Sequence, residues 1–412
     1  MGFIIDNFIL FVFFIEVTVL CYIEYKAWNT LYTPLFFLML PYTMVLIVAV
    51  LLAGNLQFVE FYYPSIIFWS VGLIIFALPS FGFSFLLNKC SMNIKSFVST
   101  ESLSPQIILL TICISILLIY KFYKTLGVSN GFVGSDEFAD DFSGSGVWAH
   151  VRQITIPLFM LCVYFLNKKR WWLFFLIIVL LCINFVNQVK GTIVIAILGS
   201  LALRLYNNKT NFNLKLILFI LLGGVLLFFI SYAAMPLIGK GEGELTGELI
   251  EFVFKTFGHY FTSGIYGLSE DMQHNFPDSN SFEYIVAPLV NIYSQIIGDG
   301  EFISPVNPIY YHTGHSFTNV RTFFGTLYIY SNLFQFVLYT LFLSTLLYLL
   351  KMITLRFNNI FVYIILFYEC SLLSMGWFEF YFFHLAALEI PILTLFLMYL
   401  NNLSMKQRNG GD

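Results

Sequence analysis

The feature that most constrains this chain is its series of long apolar runs. A bilayer-spanning helix needs roughly 20 mostly apolar residues, and runs of that kind recur from one end of the sequence to the other. Reading for them predicts about eleven spans. They lie near 3–22, 34–53, 65–87, 105–123, 151–166, 171–186, 189–206, 214–233, 326–350, 360–374 and 382–400. Continuous apolar runs of this length oppose a closed barrel, whose strands are short and alternate. The fold class expected is therefore an all-α polytopic membrane protein, a single integral membrane domain over 1–412. Charge agrees: 59% of the residues are hydrophobic and only 10% charged, against about 25% charged in soluble chains. A soluble enzyme cannot cover its surface with so little charge. A net charge of −3 lacks the basic footprint of a nucleic-acid binder.

Lysine and arginine in short loops set orientation. With the N-terminus outside, the inner loops collect Lys26, Lys89, Lys95, Lys168, Lys169, Arg170, Arg204, Lys209, Lys215, Lys351, Arg356, Lys406 and Arg408. The outer face keeps Lys121, Lys124, Arg152, Lys190, Lys240, Lys255 and Arg321, a split of 13 against 7. The reverse orientation strands the Lys168–Arg170 run outside, so N-out, C-in is expected. No basic residue precedes the first apolar run, which reads as a retained helix rather than a signal peptide. The six cysteines are scattered, with no Cys-x-x-Cys spacing, and neither a disulfide framework nor a zinc site is expected.

Two loops are long, and both fall on the outer face. Residues 127–150 are Gly/Ser-rich and carry Asp136, Glu137, Asp140 and Asp141. Residues 235–325 form the larger loop, too long to be structureless in a compact protein. Within it, Leu245, Leu249, Phe252, Val253, Phe257, Tyr260 and Phe261 recur at helical spacing over 245–265. Asn280-x-x-Glu283 resembles a capping box ahead of a second amphipathic helix over 284–297. Both are expected to lie in the interface plane. The stretch 299–325 then turns Pro-, Gly-, Tyr- and His-rich. An irregular backbone beside a membrane is tolerated only where it is packed or lines a cavity, so this is the most site-like segment.

Candidate chemistry follows from the outer-face charges. Lys121 and Lys124 are expected to snorkel, Lys240 to be solvated, and Lys255 to pair with Glu251. Arg152 and Lys190 sit at the outer ends of apolar helices, where an uncompensated charge is costly. Arg321 lies beside His312 and His315. His150, His259 and His274 lack such company. Glu16, Glu369, Glu379 and Glu389 are carboxylates in or near the membrane. Phosphate-binding loops, dinucleotide fingerprints, His-Glu-x-x-His and nucleophile elbows are all absent. No cofactor is expected.

Asn319-Val320-Arg321-Thr322-Phe323-Phe324-Gly325 opening a helix resembles the Asn-x-x-Thr-Phe stretch of the Wzy-type O-antigen and capsular repeat-unit polymerases. Lys190-Gly191-Thr192 is similar to the place where relatives carry an Arg followed by small residues. The layout of Phe/Leu/Ile-rich spans with a large outer loop in the second half matches that family along most of the chain. Tyr330-Ser331-Asn332 departs from the more Asp/Gly-like ending of the pattern. The resemblance implies a membrane glycosyltransferase architecture of the GT-C-like kind. It implies transfer of one lipid-pyrophosphate-linked oligosaccharide onto another at the periplasmic face of a bacterial inner membrane. Under it, Arg152, Lys190 and Arg321 meet the pyrophosphates, Lys255 is a further substrate contact, and Tyr310 and Tyr311 face sugar. His315 or His312 is the base, with Glu283, Asp299 and Glu301 in reserve. A chain-length regulator is the implied protein partner. Three rivals share the layout: a glycan ligase, a lipid-oligosaccharide flippase or transporter, and a membrane acyltransferase. The flippase would show internal repeats, which are not found, and the acyltransferase would use a histidine within the membrane such as His384.

Overall fold

In the computed structural model, residues 2–89, 103–128, 138, 141–142, 146–186, 190–210, 223, 247–274, 281–298, 302–304 and 306–409 are described. Among them the chain is almost entirely helical. In order come α1 (Gly2–Trp28), α2 (Pro34–Leu52), α3 (Pro64–Lys89), α4 (Pro105–Val128), α5 (Val147–Gln153), α6 (Thr155–Phe165), α7 (Leu173–Val186) and α8 (Lys190–Tyr206). They are followed by α9 (Gly247–Gln273), α10 (Ala287–Ile297), a hairpin of β1 (Tyr311–His312) and β2 (Phe317–Thr318), α11 (Phe323–Tyr330), α12 (Leu333–Phe357), α13 (Ile360–Ser374) and α14 (Ala386–Asn409).

Among the described residues seven segments are long and apolar enough to cross a membrane: Ile4–Trp28, Pro34–Leu52, Pro64–Leu87, Pro105–Val128, Val147–Phe165, Leu333–Phe357 and Ala386–Ser404. Leu173–Val186, Gly191–Tyr206 and Ile360–Ser374 are shorter apolar helices. The expected span at 214–233, Gly223 excepted, and residues 235–246 of the expected outer loop lie outside the described residues. Ile4, Phe8, Phe11, Ile15 and Val19 of α1 are all exposed. An apolar stripe of that extent is what a helix facing lipid presents.

Several expected boundaries move. The span expected over 326–350 is two helices, because Ser331 is extended (φ −140°, ψ 146°) and ends α11. Asn332 and Gln335 then exchange side-chain to backbone hydrogen bonds at 2.9 and 3.0 Å, a reciprocal cap that starts α12. The amphipathic helix expected over 245–265 runs on to Gln273. The second one begins later than expected: Phe282–Tyr284 is a 3₁₀ turn, Val286 is the N-cap, and Pro288 occupies the first turn of α10. Asn280 lies outside the described residues.

The chain forms two compact units, each drawing on both halves of the sequence. Unit 1 comprises Met1–Lys95, Phe254–Phe357 and Glu369–Leu388. Unit 2 comprises Ser96–Val253, Asn358–Tyr368 and Glu389–Asp412. The core of unit 1 is aromatic: Trp69 stacks on Tyr42, meets Phe324 edge-on, and donates from Nε1 to Thr322 Oγ1 at 3.0 Å. That same hydroxyl caps α11 by accepting from Gly325 N at 3.0 Å. Two buried ionisable groups of unit 1 are held by neutral partners. Tyr348 donates to Glu24 at 2.8 Å, and Lys351 donates to the Tyr32 carbonyl at 2.6 Å while lying over the Trp28 ring. In unit 2, Lys121 and Thr125 of α4 both hold Asp141, at 2.8 and 2.6 Å, so Lys121 is ion-paired.

Candidate functional site

The candidate site of unit 1 is assembled on α9. Its residues Ser263, Gly264, Gly267 and Asp271 follow helical spacing along one stripe. The small residues let the extended 319–322 segment lie directly on the helix. A Cβ on Gly267 would stand 2.6 Å from Arg321 Cδ and 2.8 Å from the Val320 carbonyl oxygen. One turn on, Asp271 takes Arg321 in a fork: Nε to Oδ2 at 2.6 Å and Nη2 to Oδ1 at 2.9 Å. Nη1 donates to the Ile309 carbonyl at 3.2 Å, and the guanidinium lies 4.3 Å above the Tyr311 ring. Tyr311 in turn donates its hydroxyl to the Ser263 carbonyl. Arg321 is 1% exposed and Asp271 0%. Burial pushes the Asp271 carboxyl up, and Arg321 works against that.

Two of the sequence assignments change here. Arg321 commits three of its five N–H donors to protein partners and its charge to Asp271, so it is a clamp first. Tyr311 is buried against that clamp instead of presenting a free sugar-facing ring.

Beside the clamp is a small cleft of about 20 Å³, its lining more apolar than polar, formed by Tyr284, Asn307, Asn319, Arg321, Tyr330 and Glu379 among others. Tyr284 and Tyr330 stack at 4.7 Å with 15° between planes. Tyr330 donates to Asn307 Oδ1 at 2.6 Å, and Asn319 Nδ2 donates to the Asn307 carbonyl at 2.8 Å. Asn307 Nδ2 is buried without a partner, an unused donor at the cleft. Glu379 is also 3.9 Å from His384 Nε2. An aromatic pair, two amides and a carboxylate are the groups with which proteins hold sugars: faces for C–H surface, amides for hydroxyls.

A second cluster sits at the tip of the hairpin, where Tyr311 pairs with Thr318 and His312 with Phe317. The turn is held by Thr313 N donating to the Ser316 carbonyl at 3.0 Å, with Gly314 at φ +96°. It docks on the segment after α2: Val59 N donates to the Thr313 carbonyl at 2.9 Å. The hairpin thereby carries His315 to α9, where its Nε2 is 3.3 Å from Thr256 Oγ1 and its ring 6.1 Å from that of His259. His259 Nδ1 bonds Thr313 Oγ1 at 2.8 Å. Lys255 reaches Gln57 Oε1 at 3.3 Å. His312 is exposed and accepts from Gly314 N at 3.0 Å. Burial, aided by His315 and His312, holds the His259 imidazole down at about 4. His315 is lowered by burial, then by Lys255 and His312. At neutral pH both are uncharged, so His315 is able to accept a proton.

The remaining assignments are dispersed. Glu283 and Tyr310 are exposed, and Asp299 and Glu301 lie outside the described residues. Lys190 begins α8 in unit 2, and its side chain lies outside the described residues. Arg152, also in unit 2, is half-buried near Glu389. Glu389 Oε1 receives His150 Nδ1 at 2.7 Å, with the His150 side chain 57% exposed. A carboxylate that fixes one ring nitrogen leaves the other outward, the usual way of orienting a base. His150 and His259 both carry partners that sequence spacing does not reveal, since those partners are 239 and 54 residues away. The signal for His259 is present in α9: it sits on the same face as Lys255 one turn earlier.

The model of a family of unknown function (DUF6337) matches residues 57–407. The chain belongs to this family. The matched span runs from Gln57, which meets the hairpin, through α9, the hairpin and α11 to α14. No curated protein and no solved structure matches.

Proposed function

We propose that this DUF6337 member is a membrane glycosyltransferase that polymerises lipid-pyrophosphate-linked oligosaccharide units on the outer side of a bacterial inner membrane. The observation that carries this reading is the placement of the polymerase-like stretch. Asn319, Val320 and Arg321 of that stretch line a small aromatic cleft, and the hairpin just before it presents a neutral histidine near a lysine.

The reaction needs no nucleotide, because the donor carries its own leaving group. The acceptor hydroxyl oxygen forms a bond to the donor anomeric carbon. The bond from that carbon to the pyrophosphate oxygen breaks, and the electron pair leaves with the lipid pyrophosphate. The hydroxyl proton passes to the His315 imidazole. Lys255 opposes the charge building on the pyrophosphate. It also keeps His315 neutral before substrate arrives; once a phosphate offsets the lysine, His315 becomes a stronger base. Tyr284, Tyr330 and Asn307 hold sugar, and Arg321 is a positioning residue that fixes the hairpin and cleft on α9. Arg152 and Lys190 remain candidates for phosphate contact on residue type and position at helix ends.

A base works deprotonated, so the rate falls as pH drops through its pKa. With His315 below its ordinary value, the acid limb of the rate profile is expected below about 6.5. Lys255→Met removes the lowering charge, and the limb is expected to move to higher pH. An unmoved limb with full activity in His315→Asn would remove His315 from the role. In cells, deletion of the protein or Lys190→Ala, with membrane levels verified, is expected to collapse long glycan ladders on a gel to single repeat units. Undiminished ladders in the deletion strain would contradict the reading.

A further inference from the structure

From Phe142 to Gly241, 100 consecutive residues contain no aspartate or glutamate, yet they carry Arg152, Lys168, Lys169, Arg170, Lys190, Arg204, Lys209, Lys215 and Lys240. Within unit 2 the fold gathers three of these at one end of α6. Arg204, near the end of α8, donates from Nη1 to the Val163 and Leu166 carbonyls at 2.5 and 3.0 Å. It thereby caps the carbonyls left over at the C-terminus of α6. Lys209 lies 3.4 Å above the Tyr164 ring and donates to the Tyr164 carbonyl at 3.3 Å. Arg170 lies 5.6 Å from the Phe165 ring. The turn carrying Lys168, Lys169 and Arg170 is itself fixed, since Asn167 Oδ1 accepts from Lys169 N at 2.9 Å and Arg170 N at 3.0 Å.

Among the described residues no carboxylate pairs with Arg204, Lys209, Arg170, Lys168 or Lys169. Their compensation is carbonyl oxygens and ring faces. Crowding has a visible effect: burial and then the adjacent Arg204 and Arg170 bring the Lys209 ammonium down to about 8. Next to the cluster, Trp171 and Trp172 are exposed, as are Phe174 and Phe175 at the start of α7. Aromatic rings beside cations at the end of an apolar helix mark headgroup depth. Cations clustered there attract anionic lipid.

We propose that Arg170, Lys209 and the Lys168–Lys169 pair form a binding site for the phosphate headgroup of an anionic phospholipid, with Trp171 and Trp172 against its glycerol and upper acyl region. Arg204 is the scaffold, since its donors hold the end of α6. The site is independent of the proposed transferase chemistry.

The test uses the full-length protein in detergent, followed by native mass spectrometry with added phosphatidylglycerol or phosphatidylcholine. Phosphatidylglycerol is expected to remain bound at detergent-stripping energies where phosphatidylcholine is lost. Arg170→Gln with Lys209→Gln is expected to weaken retention about fivefold per charge removed. Lys26→Gln, a basic residue in unit 1, serves as control and should leave retention unchanged. Equal retention of the two lipids, or full retention by the double variant, overturns the proposal. Inorganic phosphate that displaces phosphatidylglycerol at millimolar concentration assigns the cluster to a soluble anion and likewise overturns it.

Discussion

Arg321→Ala is expected to cost about 3–5 kcal/mol of stability, because it strands the Asp271 carboxylate in a buried position with no counter-charge. The carboxylate is 0% exposed, and the fork is its only ion pair among the described residues. The readout is the thermal unfolding midpoint of purified protein in one fixed detergent, together with the fraction recovered as a monodisperse peak. Arg321→Lys is expected to fall between wild type and Ala: it keeps charge but loses the two-pronged geometry and the ring stacking over Tyr311. Arg321→Met combined with Asp271→Leu distinguishes the two roles of the clamp. Apolar replacement of both partners restores much of the midpoint. Glycan polymerisation should nevertheless stay impaired, because the fork and the Ile309 bond no longer hold the cleft wall. A midpoint for Arg321→Ala equal to that of wild type would refute the clamp.

Gly314→Ala is the second large effect. A Cβ there would stand 1.9 Å from the Gln57 carbonyl oxygen and 2.9 Å from Val59 N, both backbone atoms that have no flexible way to yield. The positive φ of +96° adds strain for any L side chain. The hairpin must therefore lift from the segment after α2, breaking the Val59 to Thr313 bond and carrying His315 away from Thr256 and His259. The global fold should survive, since the helices do not depend on this turn. The expected result is a normal elution profile with glycan polymerisation reduced about 100-fold or more, a size typical when a catalytic group is moved by about an ångström. Protease sensitivity between Ile309 and Thr318 should rise in parallel. Normal activity in Gly314→Ala would mean that the docked hairpin is not needed for catalysis.

The spans were legible in the sequence because a bilayer imposes length and apolarity on each helix separately. The end of apolar periodicity at 299–325 was legible too. What sequence spacing concealed is pairing at a distance. Asp271, the partner of Arg321, stands 50 positions earlier, and on its own it looks like one more acid at the end of an amphipathic helix. The indication was the Ser263, Gly264, Gly267 stripe, small residues on one face that allow a backbone to approach closely. His150 and Glu389 meet only because two helices from opposite halves of the chain pack in unit 2. The break at Ser331 was hidden inside an apolar run: Leu327 to Tyr330 on one side and Leu333 to Tyr339 on the other make one hydropathic segment, and only the exchanged caps of Asn332 and Gln335 separate α11 from α12.

The most direct measurement supplies purified, reconstituted protein with a single lipid-pyrophosphate-linked repeat unit as both donor and acceptor. The products are then separated by mass. Dimers and longer oligomers should appear, one lipid pyrophosphate being released per linkage formed, with His315→Asn and Gly314→Ala strongly reduced. Unchanged monomer with this substrate, from protein verified as folded, would contradict the account, as would transfer of single units onto a different acceptor only.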